Sequence, residues 1–167
     1  TGSHQSTRMA LKLLAARLCG GAAALDAAPL EVPTEVPTEV IDVGSGSGVL
    51  GIAAALLGVG RVDLVELDPA GQGVGLANAT ANGVADRVRW AGTDVTLLDA
   101  PVDPTVRLVL ANLLIGEHEA VAPSARKAAG KGGAVIVAGI LEHQEDRLLA
   151  ALARAGVRAH DEHVDRL

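Results

Sequence analysis

Aromatic side chains are almost missing from this 167-residue sequence, which has no Phe, no Tyr and a single Trp, Trp90. Proteins that hold nucleobases by stacking them on aromatic platforms are therefore almost entirely excluded. The core has to be built from aliphatic residues, and the single cysteine, Cys19, excludes an internal disulfide and a cysteine metal cluster. One free cysteine is typical of a reducing compartment, so we expect a cytoplasmic location.

Basic charge is also scarce, with 14 Lys and Arg residues against 20 Asp and Glu and a net charge of −6 at pH 7. No direct nucleic-acid partner is expected, because phosphate binders usually carry a basic excess. No membrane partner is expected either, since no uninterrupted apolar run reaches the ~18 residues of a membrane span and the first residues lack an apolar signal-peptide region. With 49% hydrophobic and 20% charged residues, the composition is that of one folded domain over residues 1–167.

Short apolar runs alternate with longer helical segments along the chain. The pattern predicts strands at residues 40–43, 61–66, 87–91, 105–111 and 133–139. It predicts a helix that ends at Leu18 and further helices at residues 49–57, 69–81, 116–129 and 142–155. Such alternation requires parallel pairing, so we expect an α/β fold with a doubly wound, mainly parallel, Rossmann-like sheet. Residues 157–160 are a candidate sixth strand, and a truncated last edge strand is expected because the chain ends at Leu167.

Residues 31–40 read EVPTEVPTEV and repeat a four-residue unit. Proline at every fourth position excludes a helix and favours extended backbone. We therefore expect residues 31–39 to form a surface linker between the first helix and the first strand.

A glycine-rich turn between the first predicted strand and the next helix is the most informative segment, with the sequence VIDVGSGSGVL at residues 40–50. Alternate glycines let the backbone turn sharply and let a ligand approach the main chain closely. The following helix offers free N–H groups and positive potential. Because ligands of such sheets lie at the carboxyl ends of the strands, the candidate binding residues here are Asp42, Gly44, Ser45, Gly46 and Gly48.

Two kinds of ligand fit this turn. Residues 46–51, GSGVLG, match the G-x-G-x-x-G string of dinucleotide sites, so a nicotinamide-dependent oxidoreductase remains an alternative. The string begins one glycine after Gly44, however, and acid-x-G-x-G-x-G, starting at Asp42, describes the turn better. A Tyr for a proton relay is also missing from the sequence.

Acidic residues after the next two strands complete a nucleoside site. Glu66 ends the second predicted strand, where its carboxylate can accept hydrogen bonds from both hydroxyls of a ribose. Asp94 follows the third strand and is placed to reach the exocyclic amine of an adenine. Without aromatic residues, aliphatic side chains such as Leu67 and Val95 would have to flank that ring.

Three further segments, together with the glycine turn, identify a family. Residues 1–8 (TGSHQSTR) are similar to a TGTHxTTR signature, residues 111–114 (ANLL) to an AN(I/L)L motif, and residues 138–144 (AGILEHQ) to an SGIL…Q segment. In this order the four resemble the ribosomal protein L11 methyltransferase family of class I S-adenosylmethionine-dependent methyltransferases. The match through Arg8 also argues against an expression-tag origin for residues 2–4.

The resemblance implies a role for each matched residue. Thr7, with Thr1 and Gly2 nearby, would contact the methionine end of S-adenosylmethionine, and the turn glycines would line the cofactor. Glu66 would hold its ribose and Asp94 would approach its adenine. Asn112, the one implied catalytic residue, would face the methyl group and the incoming nitrogen.

The function implied is in-line transfer of a methyl group to a protein amine, a lysine or an α-amine of an L11-like ribosomal protein. No acid–base residue and no metal are implied. Family members carry a separate N-terminal recognition domain, and this chain starts inside the TGTH-like motif. A small-molecule amine as substrate, and a non-catalytic cofactor-binding remnant, are therefore alternatives.

Histidines outside the signature are expected to be ordinary. His118 and His143 lie at predicted helix starts and are expected on the surface. His160 and His163 bracket an acidic pair near the chain end and lack a third fixed ligand for a metal. Trp90 is expected to pack at a strand edge.

Overall fold

Five parallel strands form one sheet in the computed structural model, which describes residues 5–19, 37–101 and 106–158. The strands are β1 (Glu39–Val43), β2 (Arg61–Val65), β3 (Val88–Gly92), β4 (Arg107–Asn112) and β5 (Ala134–Ala138). The helices are α1 (Gln5–Cys19), α2 (Val49–Leu56), α3 (Pro69–Ala81), α4 (Ile115–Ala129) and α5 (Glu145–Arg154). Short 3₁₀ turns occupy Val95–Leu97 and Glu142–Gln144.

The spatial order of the strands is β3-β2-β1-β4-β5, and each neighbouring pair is parallel. The chain runs outward from β1 to β3 and then returns to the other side of β1 through β4. This reversal between β1 and β4 is the switch point at which open α/β sheets bind ligands. Because Val43 pairs with Ala111, the segments that follow β1 and β4 emerge side by side.

Successive residues of the central strands pack on opposite faces of the sheet, as the period of two requires. Val40 and Leu108 belong to the cluster that α1, α2 and α3 cover on one face. Ile41 and Val109 belong to the cluster that α4 covers on the other. A third cluster joins α4 to α5 and includes Val137 of β5, so α5 packs against α4 on the β5 side of the sheet.

Local sequence signals explain where the helices begin and end. Asp68 caps α3 by accepting a hydrogen bond from the Ala70 N–H at 2.9 Å, and Pro69 takes the first helical position. Gly130 ends α4 with φ +73°. These boundaries confirm the sequence-based predictions within one or two residues.

The doubly wound parallel sheet is confirmed, with three local corrections. Glu39 is the first residue of β1 rather than the last of the linker, and residues 31–36 lie outside the described part of the chain. The last predicted helix is divided into the Glu142–Gln144 turn and α5. Val157 and Arg158, the described part of the candidate sixth strand, are not in a strand.

Trp90 lies on β3, at the edge of the sheet as predicted, and packs against the core on the α1–α3 face. Among the helices of the described residues, none has both the length and the apolarity needed to span a membrane.

Candidate functional site

All three alternate glycines of the turn adopt left-handed backbone, with φ of +68° at Gly44, +50° at Gly46 and +76° at Gly48. L-residues with a side chain rarely adopt such values, so the path of the turn depends on glycine. The turn is tied to β2 because the N–H groups of Gly44 and Ser45 both donate to the Val65 carbonyl, at 2.9 and 3.1 Å.

Each glycine of the turn meets a different environment. A Cβ on Gly44 would overlap the Leu113 side chain that follows β4. A Cβ on buried Gly48 would lie 3.3–3.4 Å from Ile52, Leu64 and Gly75, so this glycine serves packing. Gly46 is exposed, and a Cβ there would find nothing within 4 Å. Of the three, Gly46 is the one at which the main chain faces open space.

Asp42 lies beneath the turn rather than in its open side. The residue is 2% exposed, and its Oδ2 accepts a hydrogen bond from the Gly51 N–H at 2.8 Å. This bond satisfies an otherwise unpaired N–H in the first turn of α2, where Gly48 offers no capping side chain. Burial, reinforced by the nearby charge of Glu66, raises the pKa of Asp42 to about 7 against the opposing effect of the Gly51 bond.

Glu66 follows β2 and turns its carboxylate back to the glycine turn. Oε2 accepts from the Gly46 N–H at 2.8 Å and Oε1 from the Asp68 N–H at 3.2 Å. Two backbone donors therefore fix the carboxylate next to the open side of Gly46, and each oxygen keeps a lone pair. Gly71 in α3 leaves room for this arrangement, since a Cβ there would lie 2.6 Å from Glu66 Cγ.

Two apolar side chains stand exposed after the strands that precede Glu66 and Asp94. Leu67 is 81% exposed and Leu97 is 78% exposed. Asp94 accepts a hydrogen bond from the Thr96 N–H at 2.7 Å, and its bonds to Thr96 lower the pKa of Asp94. Val95 was expected to flank a base, but this was wrong, because its side chain packs in the α4-side core cluster and is buried.

Asn112, the last residue of β4, meets the first turn of α1. Its Nδ2 donates a hydrogen bond of 3.1 Å to Oγ1 of buried Thr7. The bond leaves Oδ1 directed toward Gly139, where a Cβ would lie 2.7 Å from Asn112 Oδ1 and 2.6 Å from the Leu113 carbonyl oxygen. Two acceptors thus converge beside a residue that has no side chain.

A cleft of ≈ 300 Å³ opens at this point. It brings together the predicted motif segments of the first helix, of residues 111–114 and of residues 138–144, and its lining consists of Ser6, Thr7, Asn112, Leu113, Leu114, Glu117 and Gly139. Thr1 and Gly2 lie outside the described residues, as do His160 and His163. The described candidates therefore fall at one edge of the sheet, with Asp42, Ser45 and Gly48 supporting the turn from inside.

Sequence reasoning did not predict that Glu117 lines the cleft, and it placed His118 on the surface. His118 is 2% exposed, with Nε2 2.8 Å from the Ala138 carbonyl oxygen, so its predicted surface position was wrong; His143 is exposed as predicted. The signal was present in the sequence, because His118 stands four, seven and eleven residues before buried alanines of α4, Ala122, Ala125 and Ala129.

Comparison with known proteins agrees with the four motifs. The family model described as Ribosomal protein L11 methyltransferase (PrmA) matches residues 1–165. The chain belongs to the ribosomal protein L11 methyltransferase family. This membership confirms the resemblance that the glycine turn and the three further segments indicated.

Curated relatives carry the same family name. The ribosomal protein L11 methyltransferase of Thermus thermophilus is 37% identical over 162 residues, which cover 97% of this chain and 56% of the relative. That of Syntrophotalea carbinolica is 35% identical and covers 96% of this chain and 47% of the relative. The chain therefore spans about half the length of the curated relatives it matches.

Solved structures support the fold of the L11 methyltransferase family. A ribosomal protein L11 methylase from Lactobacillus delbrueckii subsp. bulgaricus has a TM-score of 0.69 at 28% identity, over 92% of this chain and 70% of that one. The [4+2]-cyclase SpnF has a TM-score of 0.64 at 16% identity, over 93% of this chain and 60% of that one. Since a cyclase shares the architecture, the reaction has to be argued from the site.

Proposed function

We propose that this chain is a methyltransferase domain that binds S-adenosylmethionine and methylates an amino group of an L11-like ribosomal protein. The observation that carries the proposal is the convergence of Asn112 Oδ1 and the Leu113 carbonyl oxygen at Gly139, beside the cleft. The names of the relatives support the protein substrate, and that substrate in turn favours a cytoplasmic location.

The residues around the turn fit the proposed cofactor. The fixed Glu66 carboxylate keeps two lone pairs for ribose hydroxyls, and Gly46 leaves open space for close approach. Exposed Leu67 and Leu97 offer aliphatic surfaces for the adenine. Among the described residues that line the cleft, Glu117 is acidic and none is Lys or Arg, which favours a cationic sulfonium.

A dinucleotide fits the same turn less well. The second glycine of the GSGVLG string, Gly48, would have to let a pyrophosphate approach the main chain. Its Cβ position is instead closed by Ile52, Leu64 and Gly75 at 3.3–3.4 Å. This packing supports the methyltransferase proposal over the oxidoreductase alternative.

The chain's own contribution to the reaction is alignment. When bound, S-adenosylmethionine supplies an activated methyl carbon. Asn112 Oδ1 and the Leu113 carbonyl accept two hydrogens of the incoming neutral amine and direct its lone pair toward that carbon, and Thr7 holds the amide in this orientation. Alignment of this kind lowers a barrier by about 7–11 kcal/mol at best.

The amine has to be neutral to attack. An α-amine, with a pKa of roughly 8, meets this condition more readily than a lysine at roughly 10.4. A lysine would need desolvation in the cleft to lower its pKa. Proton loss to water after transfer requires no base from the chain.

The test is methyl transfer from labelled S-adenosylmethionine to an L11-type protein, read by mass spectrometry. We expect the Asn112→Ala variant to lose about 10²-fold or more in kcat, because it removes an acceptor used in the transition state, while cofactor affinity changes little. The matched control is Asn82→Ala, which removes an exposed amide at the far end of α3, where it donates to the Asn78 carbonyl. Label that appears on small amines and never on the protein would contradict the proposed substrate, and no transfer at all would contradict the proposed activity.

A further inference from the structure

His118 is a buried polar residue that the proposed reaction does not use. It lies in the first turn of α4, and its Nε2 is 2.8 Å from the Ala138 carbonyl oxygen. A carbonyl oxygen only accepts hydrogen bonds, so Nε2 carries the hydrogen and donates it. The same oxygen accepts the Leu113 N–H at 3.1 Å. One carbonyl at the end of β5 therefore joins α4 to the segment that follows β4.

This carbonyl lies where the sheet stops. Asn112 and Ala138 are the last paired residues of β4 and β5, and the Leu113 N–H bond to the Ala138 carbonyl follows directly after them. The two acceptors of the proposed reaction begin at this point, and Gly139, which leaves space for them, directly follows Ala138. The hydrogen bond from His118 ties α4 to this last pair, at the same oxygen that holds the Leu113 N–H.

The ring is suited to a fixed, uncharged role. His118 does not line the cleft, so it is out of position to exchange a proton with a substrate there. Burial lowers the pKa of His118, although the Ala138 carbonyl and the charge of Glu117 act in the opposite direction. The imidazole therefore remains neutral at physiological pH and keeps one donor on Nε2.

We infer that His118 is a positioning residue, which holds the Leu113 carbonyl and Asn112 Oδ1 in register with Gly139 by donating to the Ala138 carbonyl. The inference rests on the proposed function for its catalytic consequence. The structural part of the inference, that His118 connects α4 to the ends of β4 and β5, does not depend on the proposed function.

The first test measures the structure and needs no activity. His118→Gln keeps an N–H donor at nearly the same reach, whereas His118→Met has similar length and no donor. We expect hydrogen exchange of the Leu113 amide, followed by NMR, to accelerate by about tenfold in the Met variant, since a lost hydrogen bond weakens protection locally. The Gln variant should remain close to the parent. Unchanged Leu113 exchange in the Met variant would overturn the inference.

The second test separates positioning from general destabilisation. We expect His118→Met to lower kcat by about tenfold, equivalent to ~1.4 kcal/mol of barrier, with an unchanged cofactor Kd, and His118→Gln to restore most of it. Val84→Ala is the matched control, because Val84 is a buried core residue between α3 and β3, and β3 lies at the opposite end of the strand order from β5.

Loss of kcat in both variants, in proportion to their loss of stability, would reduce His118 to a structural residue and overturn the inference. Absence of turnover in the parent chain would instead contradict the proposed function. In that case the Leu113 exchange measurement still decides whether His118 makes the connection.

Discussion

Glu66 is held in place by the backbone, and a fixed carboxylate suits the ribose-binding role proposed for it. The N–H groups of Gly46 and Asp68 fix both oxygens, so little side-chain freedom is lost when hydroxyls bind. We expect Glu66→Ala to weaken S-adenosylmethionine binding by roughly 1–3 kcal/mol, the cost of leaving buried polar groups unpaired. Isothermal titration measures this directly.

The control for Glu66 is the neighbouring carboxylate. Asp68→Ala removes an acid two residues away that caps α3, so it should reduce stability and leave cofactor affinity nearly unchanged. Equal losses of affinity in the two variants would show that the ribose assignment is wrong.

Asp42 makes the folded state sensitive to pH. Its pKa is about 7 in the folded protein against an ordinary value of 3.8, so between about pH 4 and pH 7 the folded state holds a proton that the unfolded state releases. Stability from this group is therefore lost as pH rises through that window, and the full penalty is present above pH 7. Asp42→Asn keeps an acceptor for the Gly51 N–H and cannot ionise.

We expect Asp42→Asn to be more stable than the parent by about 2–4 kcal/mol at pH 8, and by about half as much at pH 5. Urea unfolding followed by the fluorescence of Trp90 measures both values. Asp94→Asn is the control, because the pKa of Asp94 is lowered below its ordinary value of 3.8. Its contribution to stability therefore changes only at more acidic pH and should be the same at pH 5 and pH 8. A stability advantage of Asp42→Asn that is the same at both pH values would contradict the assignment.

Charged side chains join the strands at the amino edge of the sheet, opposite the cleft. Glu39 accepts from Arg107 at 2.7 Å on one side and from Arg61 at 3.0 Å on the other, and both arginines are its register partners. Asp63 continues the row by pairing with Arg61 and Arg89. The row holds β4, β1, β2 and β3 together where their backbone pairing begins.

We expect Glu39→Gln to lower the free energy of unfolding by about 2–4 kcal/mol, because it leaves the nearly buried Arg107 without its carboxylate. Backbone carbonyls of Asp99 and Ala128 still accept hydrogen bonds from Arg107. The loss of stability is therefore smaller than that expected for a buried charge with no partner. Glu119→Gln breaks an exposed α4–α5 pair and should change stability much less. Equal shifts of the denaturant midpoint in the two variants would contradict this account.

Elements whose signals are local were predictable from the sequence. Asp68 followed by Pro69 placed the start of α3, and apolar runs placed the central strands, because capping and strand burial act within a few residues. The positions of Val95 and His118 depend instead on which face packs against α4 or β5. Such long-range contacts leave only weak periodic traces, and the same applies to the connection between Thr7 and Asn112.

The ion pairs and the proposed binding site lie at opposite edges of the sheet. The amino edge carries the paired charges of Glu39 and its neighbours, whereas the carboxyl edge carries left-handed glycines, exposed leucines and a cleft. Because ion pairs hold the strands in register at the amino edge, the carboxyl edge can carry a cleft without loss of strand register. Binding at the open edge should therefore stabilise the fold as a unit rather than reorganise it.

That expectation gives a test of ligand class. S-adenosylmethionine and its demethylated product, at about 100 times Kd, should add ~2.7 kcal/mol of stability and raise Tm by about 5–10 °C in a domain of this size. NAD should produce no shift. Gly46→Val should abolish the shift, because the valine side chain would fill the open space beside Glu66. Gly83→Val is the matched control, since Gly83 has a φ of +70° and equally open space around its Cβ position. Gly83 lies at the far end of α3, so its substitution should leave the shift unchanged. A shift with NAD alone, or one that survives Gly46→Val and disappears in Gly83→Val, would place the ligand elsewhere.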